Sequence, residues 1–133
     1  FADDPSIFTF SINGKSNFPY RKEESNLDIA LDDDTADEVY LKALKQGLSR
    51  VLAHADSDLV CYLAGADPYH DDRFGRLALS KKGLARRDRF VFKALWQAGL
   101  PVCVTMSGGY ARNVQDTVDI HFQTLKIAME IFV

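Results

Sequence analysis

Apolar positions along this chain fall into two alternating kinds of pattern. Three short runs are nearly continuous: Ile7-Phe8-Thr9-Phe10-Ser11-Ile12, Leu59-Val60-Cys61-Tyr62-Leu63-Ala64 and Val102-Cys103-Val104-Thr105-Met106. Their β-branched and aromatic content suits strands buried on both faces, as in a parallel sheet. Between and after them, apolar residues recur every three or four positions, the period of a helix with one apolar face. The first such stretch opens with Thr35-Ala36-Asp37-Glu38, a capping-box sequence, and carries Tyr40, Leu41, Leu44, Leu48, Val51 and Leu52. The second starts at Ser80, carries Leu84, Val91, Leu95 and Ala98, and is stopped by Gly99 and Pro101. The third runs from about Asn113, with Val114, Val118, Phe122, Leu125 and Met129 on one face. The pattern predicts strands near 7–12, 59–64 and 102–106 and helices near 35–53, 80–98 and 113–131. That alternation is an α/β fold of three βα units on a parallel sheet.

Two connections, residues 13–34 and 65–79, exceed the usual four to six or so residues. Both leave the C-terminal end of a strand, the edge where open α/β sheets bind ligands. The third strand exits there through Ser107-Gly108-Gly109-Tyr110.

Composition narrows the function. A length of 133 residues, 47% of them hydrophobic, suits one domain spanning 1–133 and leaves no room for a second. The net charge of −3, with Lys and Arg dispersed, lacks the electrostatic footprint of a nucleic-acid binder. Apolar runs fall far short of the ~20 residues of a membrane helix, so no membrane partner is expected. Cys61 and Cys103, each inside an apolar run, read as buried free thiols of a cytoplasmic protein rather than as a disulfide or zinc site. The opening Phe1-Ala2-Asp3-Asp4-Pro5 has neither an initiator Met nor a leader and reads as a trimmed chain.

Candidate chemistry gathers at the strand exits. Asp67, just past the second strand, offers a hard carboxylate ligand for a divalent metal; the alternative is that Asp67 and Asp72 make turn and capping bonds. Tyr110 presents a phenol that can donate to a developing oxyanion, or it is an ordinary packing tyrosine after a turn. Asn17-Phe18-Pro19-Tyr20 supplies either an aromatic wall or a loop anchor. His70 reads as solvated, and Asp32-Asp33-Asp34 as acidic residues favoured at a helix N-terminus. No P-loop, GxGxxG, HExxH or GxSxG sequence is present.

Four ordered motifs together carry a resemblance. Tyr62-Leu63-Ala64-Gly65-Ala66-Asp67, Asp72-Arg73-Phe74-Gly75-Arg76-Leu77, Gly83-Leu84-Ala85-Arg86-Arg87-Asp88 and Ser107-Gly108-Gly109-Tyr110 resemble the histone deacetylase superfamily, of the arginase/deacetylase fold. The likeness is strongest to bacterial histone deacetylase-like proteins and class IV histone deacetylases, and to the C-terminal part only. It implies that Asp67 is one of three protein ligands to a catalytic zinc and that Tyr110 donates its hydroxyl to the acyl oxygen. It further implies that Ser11 and Ile12 help hold a structural potassium ion and that residues 1–7 form a second monovalent-cation site. Phe18, Phe74, Gly108 and Gly109 would line the acyl-lysine channel.

The resemblance also implies two zinc ligands from an Asp-x-His segment and a general base from a His-His pair, both upstream of the matched region. Neither motif occurs here, where the histidines are His54, His70 and His121. A catalytic zinc needs about three protein ligands and an open position for water, so Asp67 alone is expected to hold it weakly. The leading reading is the C-terminal part of a zinc-dependent deacetylase acting on acylated lysine or polyamine, inactive by itself. The alternative is a non-catalytic α/β module for interaction or oligomerisation. A parallel sheet lacking upstream strands leaves raw edges and uncovered apolar surface, so a homo-oligomer is expected.

Overall fold

Leu27-Asp28-Ile29-Ala30-Leu31 alternates large apolar with small or charged side chains, the two-residue period of a strand covered on one face. In the computed structural model, which describes residues 1, 3–54 and 56–133, this segment is strand β2 (Leu27–Leu31). It pairs in parallel with β1 (Phe10–Gly14), in a register that sets Phe10 opposite Leu27 and Gly14 opposite Leu31. The first strand therefore lies a few residues later than 7–12, and the expected loop 13–34 contains a strand. The continuous apolar runs favoured strands buried on both faces and passed over a half-covered one.

Helix α1 (Asp37–His54) follows, then β3 (Val60–Leu63), α2 (Lys81–Gln97), β4 (Val102–Thr105) and α3 (Val114–Phe132). Strands β3 and β4 form a second parallel pair, with Val60 opposite Val102 and Leu63 opposite Thr105. Three βα units are present as expected, with β2 rather than β1 feeding α1. The core joins Tyr40, Leu44 and Leu48 of α1 to Leu84, Val91 and Leu95 of α2, Leu77 and Leu79 of the β3–α2 loop, and Ile120 of α3. Phe10, Ile12, Val60, Tyr62 and Val102 pack on it from the strands.

One expectation about burial is corrected. Along β3 and β4 partly buried and exposed residues alternate, so Cys61 and Cys103, opposite each other in the register, are exposed. Helices cover only the other face of this pair among the described residues. On α3, Val114, Val118, Phe122, Leu125 and Met129 face outward, with Phe122 68% exposed. The helix turns Ile120, Thr124 and Ile127 inward instead. The accessible surface is 8660 Å², against roughly 7,000 Å² for a self-contained monomer of this size. Leu63, Trp96, Met106 and the α3 stripe contribute to the surplus.

The expected capping box takes another form. Thr35 Oγ1 donates to the Asp32 carbonyl at 2.7 Å, and Glu38 pairs with Arg86. Asp37 instead receives both the backbone N–H and the hydroxyl of Ser80, at 2.8 and 2.7 Å. Ser80 Oγ in turn accepts from the Gly83 N–H at 2.9 Å as the N-cap of α2, so one hydroxyl starts α2 and ties it to the first turn of α1. Ser80→Ala should lower stability by about 1–2 kcal/mol, the usual worth of such a cap. Urea denaturation with an unchanged midpoint would show that the link contributes nothing.

Candidate functional site

Parallel neighbours in register end together, and here the pairing continues beyond the strands. Ala64 N–H donates to the Thr105 carbonyl at 3.0 Å and Ala66 N–H to the Gly108 carbonyl at 2.7 Å. Asp67 and Ser107-Gly108-Gly109-Tyr110 therefore share one rim, at the C-terminal ends of β3 and β4.

The crowding there explains the small residues. A Cβ on Gly65 would fall 2.4 Å from Asp67 Oδ1, and one on Gly108 3.3 Å from the same atom. Gly109 has φ +155°, where a side chain is strained, and its Cβ would come within 2.8 Å of Ala66 Cβ. Burial pushes the Asp67 carboxyl above the usual carboxylate range, and the Asp72 charge adds to this; its own backbone N–H, Arg87 and His121 oppose it. Among the described residues no side chain donates a hydrogen bond to Asp67.

Asp72 is the turn former that its sequence context indicates, and it does more. Oδ1 accepts the N–H groups of Phe74 and Gly75, both at 2.8 Å, while Oδ2 accepts that of Tyr110 at 2.5 Å. The Arg73 N–H donates back to the Tyr110 carbonyl at 3.1 Å. One buried carboxylate thus fixes the β3–α2 loop against the exit of β4. The Phe74 ring meets the Tyr110 ring edge-on, with centroids 5.4 Å apart, and both are exposed.

The predicted site residues accordingly separate into groups. Asp67, Phe74, Gly108, Gly109 and Tyr110 come together. Ser11 and Ile12 lie on β1 in the other strand pair; Ser11 Oγ accepts from Asn13 Nδ2 at 2.6 Å, and Ile12 packs on the core. Phe18 is exposed in the β1–β2 connection, its ring against Tyr20. In the segment 1–7, Asp4 Oδ1 accepts from the Ser6 N–H and hydroxyl, and Ala2 lies outside the described residues. His70 is exposed as expected, against the Tyr69 ring. His54 ends α1, its side chain outside the described residues. His121 is half-buried and its Nδ1 has no hydrogen-bond partner. Among the described residues no three His, Cys, Asp or Glu side chains cluster as a metal site.

Sequence reading missed a buried polar network behind the rim. Asp88 accepts from Arg87 Nε at 2.8 Å and from the hydroxyls of Tyr62 and Thr124, each at 2.6 Å. Arg87 Nη1 reaches the Gly65 carbonyl at 2.7 Å. The available signal was a charged pair set between Leu84 and Val91 on the apolar face of α2.

Comparison with known proteins bears on this arrangement. Residues 1–125 match the family model described as the histone deacetylase domain. An uncharacterised protein of Picosynechococcus sp. is 40% identical over 132 residues, covering 99% of this chain and 44% of that protein. The fold is shared with the acetylpolyamine aminohydrolase of Burkholderia pseudomallei, at 15% identity and a TM-score of 0.78, over 93% of this chain and 38% of that one. It is likewise shared with a histone deacetylase homologue of Aquifex aeolicus, at 20% identity and a TM-score of 0.78, over 97% and 37%. The chain therefore spans less than half the length of these proteins. With the domain model covering nearly all of it, this chain belongs to the histone deacetylase family.

Proposed function

We propose that the chain forms the C-terminal portion of a zinc-dependent deacetylase site, in which Asp67 is a metal ligand and Tyr110 the donor to the acyl oxygen. The carrying observation is the rim: two side chains of complementary chemistry leave adjacent strand ends bound to each other through Ala66, Gly108 and Asp72. Asp67 suits one ligand position, because its carboxylate is desolvated, cradled by glycine backbone and free of side-chain donors. The described residues offer no cluster of three ligands, so the remaining ligands and the general base would come from outside this chain. When bound, zinc would supply Lewis acidity toward an amide carbonyl.

The residues here have their own parts in that reading. Tyr110 donates its hydroxyl where negative charge grows on the acyl oxygen, a service that depends on the phenol being held in advance. Asp72 holds the Tyr110 backbone, and Phe74 steadies the ring. Phe74, Gly108 and Gly109, with Phe18, would line the approach of an acylated lysine or polyamine, a substrate class in keeping with the fold shared with an acetylpolyamine aminohydrolase. Ser11 and Ile12 would contribute to a potassium site. A second reading, a non-catalytic module that assembles with itself, is favoured by the outward apolar stripe of α3 and the bare face of β3 and β4.

Three measurements test these readings. The 133-residue chain alone should not hydrolyse acetyl-lysine or acetylpolyamine substrates even with added zinc; turnover would refute the need for outside ligands. In the full-length protein Tyr110→Phe should lower kcat by roughly a hundredfold with zinc content unchanged, while Asp67→Ala should strip the metal. Retained kcat in the first variant would remove the tyrosine from the mechanism. In sedimentation velocity the isolated chain should run as a dimer or larger species, and a single monomeric boundary at high concentration would exclude self-assembly.

A further inference from the structure

Arg87 belongs to no part of the site proposed above, yet it touches the segment that carries it. Its side chain is 5% exposed, and that of the adjacent Asp88 is 1% exposed. Nη1 donates to the Gly65 carbonyl, and the N–H of the same peptide group, that of Ala66, donates to the Gly108 carbonyl. One peptide plane is thus held at both poles, by α2 on one side and by the exit of β4 on the other. That plane lies one peptide group before Asp67, and the intervening group is held through the Ala66 carbonyl, which accepts from the Tyr69 N–H at 3.0 Å. Fixing the first plane therefore helps fix the direction in which the Asp67 side chain leaves the backbone.

A merely structural role would be filled more cheaply. Arg87 Nη2 is buried without a hydrogen-bond partner, and burying a guanidinium costs stability that an apolar side chain of similar volume would not. What an apolar residue cannot supply is the donor to Gly65. The Asp88 carboxylate, fixed by Tyr62 and Thr124, orients the guanidinium for that bond, and the Tyr62 ring lies 5.9 Å from its centre.

We propose that Arg87 is a positioning residue for Asp67, holding the Gly65–Ala66 peptide so that the carboxylate is preset for a metal; this rests on the ligand role assigned to Asp67. Two readouts test it, with Thr124→Val as the control, since that change disturbs Asp88 without touching Gly65. In the metal-free 133-residue chain, Arg87→Met should speed amide exchange at Ala66 about tenfold or more relative to Thr124→Val. In the full-length protein, Arg87→Met should weaken zinc binding in chelator competition by about ten- to a hundredfold, the range for residues that orient a ligand, with Thr124→Val within about twofold of wild type. Arg87→Lys, which keeps the charge but cannot fork to both Gly65 and Asp88, should fall between them and decides the matter if the Met variant does not fold. Equal effects of the Arg87 and Thr124 changes on both readouts would overturn the proposal. Asp67→Ala in the same competition separates the two ideas: if it keeps zinc, the ligand assignment fails, and if it loses zinc while Arg87→Met does not, only the positioning role fails.

Discussion

The bond from the Ala66 N–H to the Gly108 carbonyl prolongs the β3–β4 pairing past the last ladder residues, and the rim is built on it. Strand pairing in parallel register brings two chain exits to one edge, but loops normally diverge as soon as the ladder stops. Here the ladder continues through glycine and alanine, so the two backbones stay in contact up to Asp67 and Gly109. The requirement for small residues follows directly, since a Cβ on Gly65 would occupy the space of the Asp67 carboxylate. Larger residues at these positions would separate the two exits before Asp67 or Tyr110 was reached.

Two buried carboxylates then secure what the backbone starts. Asp72 accepts three N–H groups from two loops, and Asp88 collects a guanidinium and two hydroxyls from α2, β3 and α3. Each would be costly without its partners, and each is paired on both oxygens. Asp67 stands between them as the contrast: a carboxylate at the same rim, partly buried, given no side-chain donor and pushed toward its neutral form by that burial. The protein surrounds two acids with donors and leaves the third, Asp67, without a side-chain donor.

How much of this was legible depended on the distance over which each signal acts. Asp67 and Tyr110 each lie a few residues past an apolar run, so their placement at a sheet edge needed only the strand assignment. β2 was hidden because its five residues sit between Lys22-Glu23-Glu24 and Asp32-Asp33-Asp34, whose charge gave the whole stretch the look of a loop. The exposure of Cys61 and Cys103 was hidden for another reason: an apolar pattern records that a face can be covered, not which neighbour covers it. The contact of Arg87 with Gly65 spans 22 residues of sequence and joins a helix to a strand exit, and nothing in the spacing announces it.

The open face of the β3–β4 pair carries a chemical consequence. Cys61 and Cys103 are opposite each other on adjacent strands, about 4.8 Å apart along the hydrogen-bonding direction, with both thiols in solvent. Thiol chemistry follows access. Bare, the face offers alkylating reagents two adjacent targets; beneath another polypeptide, it withholds both at once. The pair is therefore a built-in reporter of coverage, reading from within the sheet whether anything lies against it.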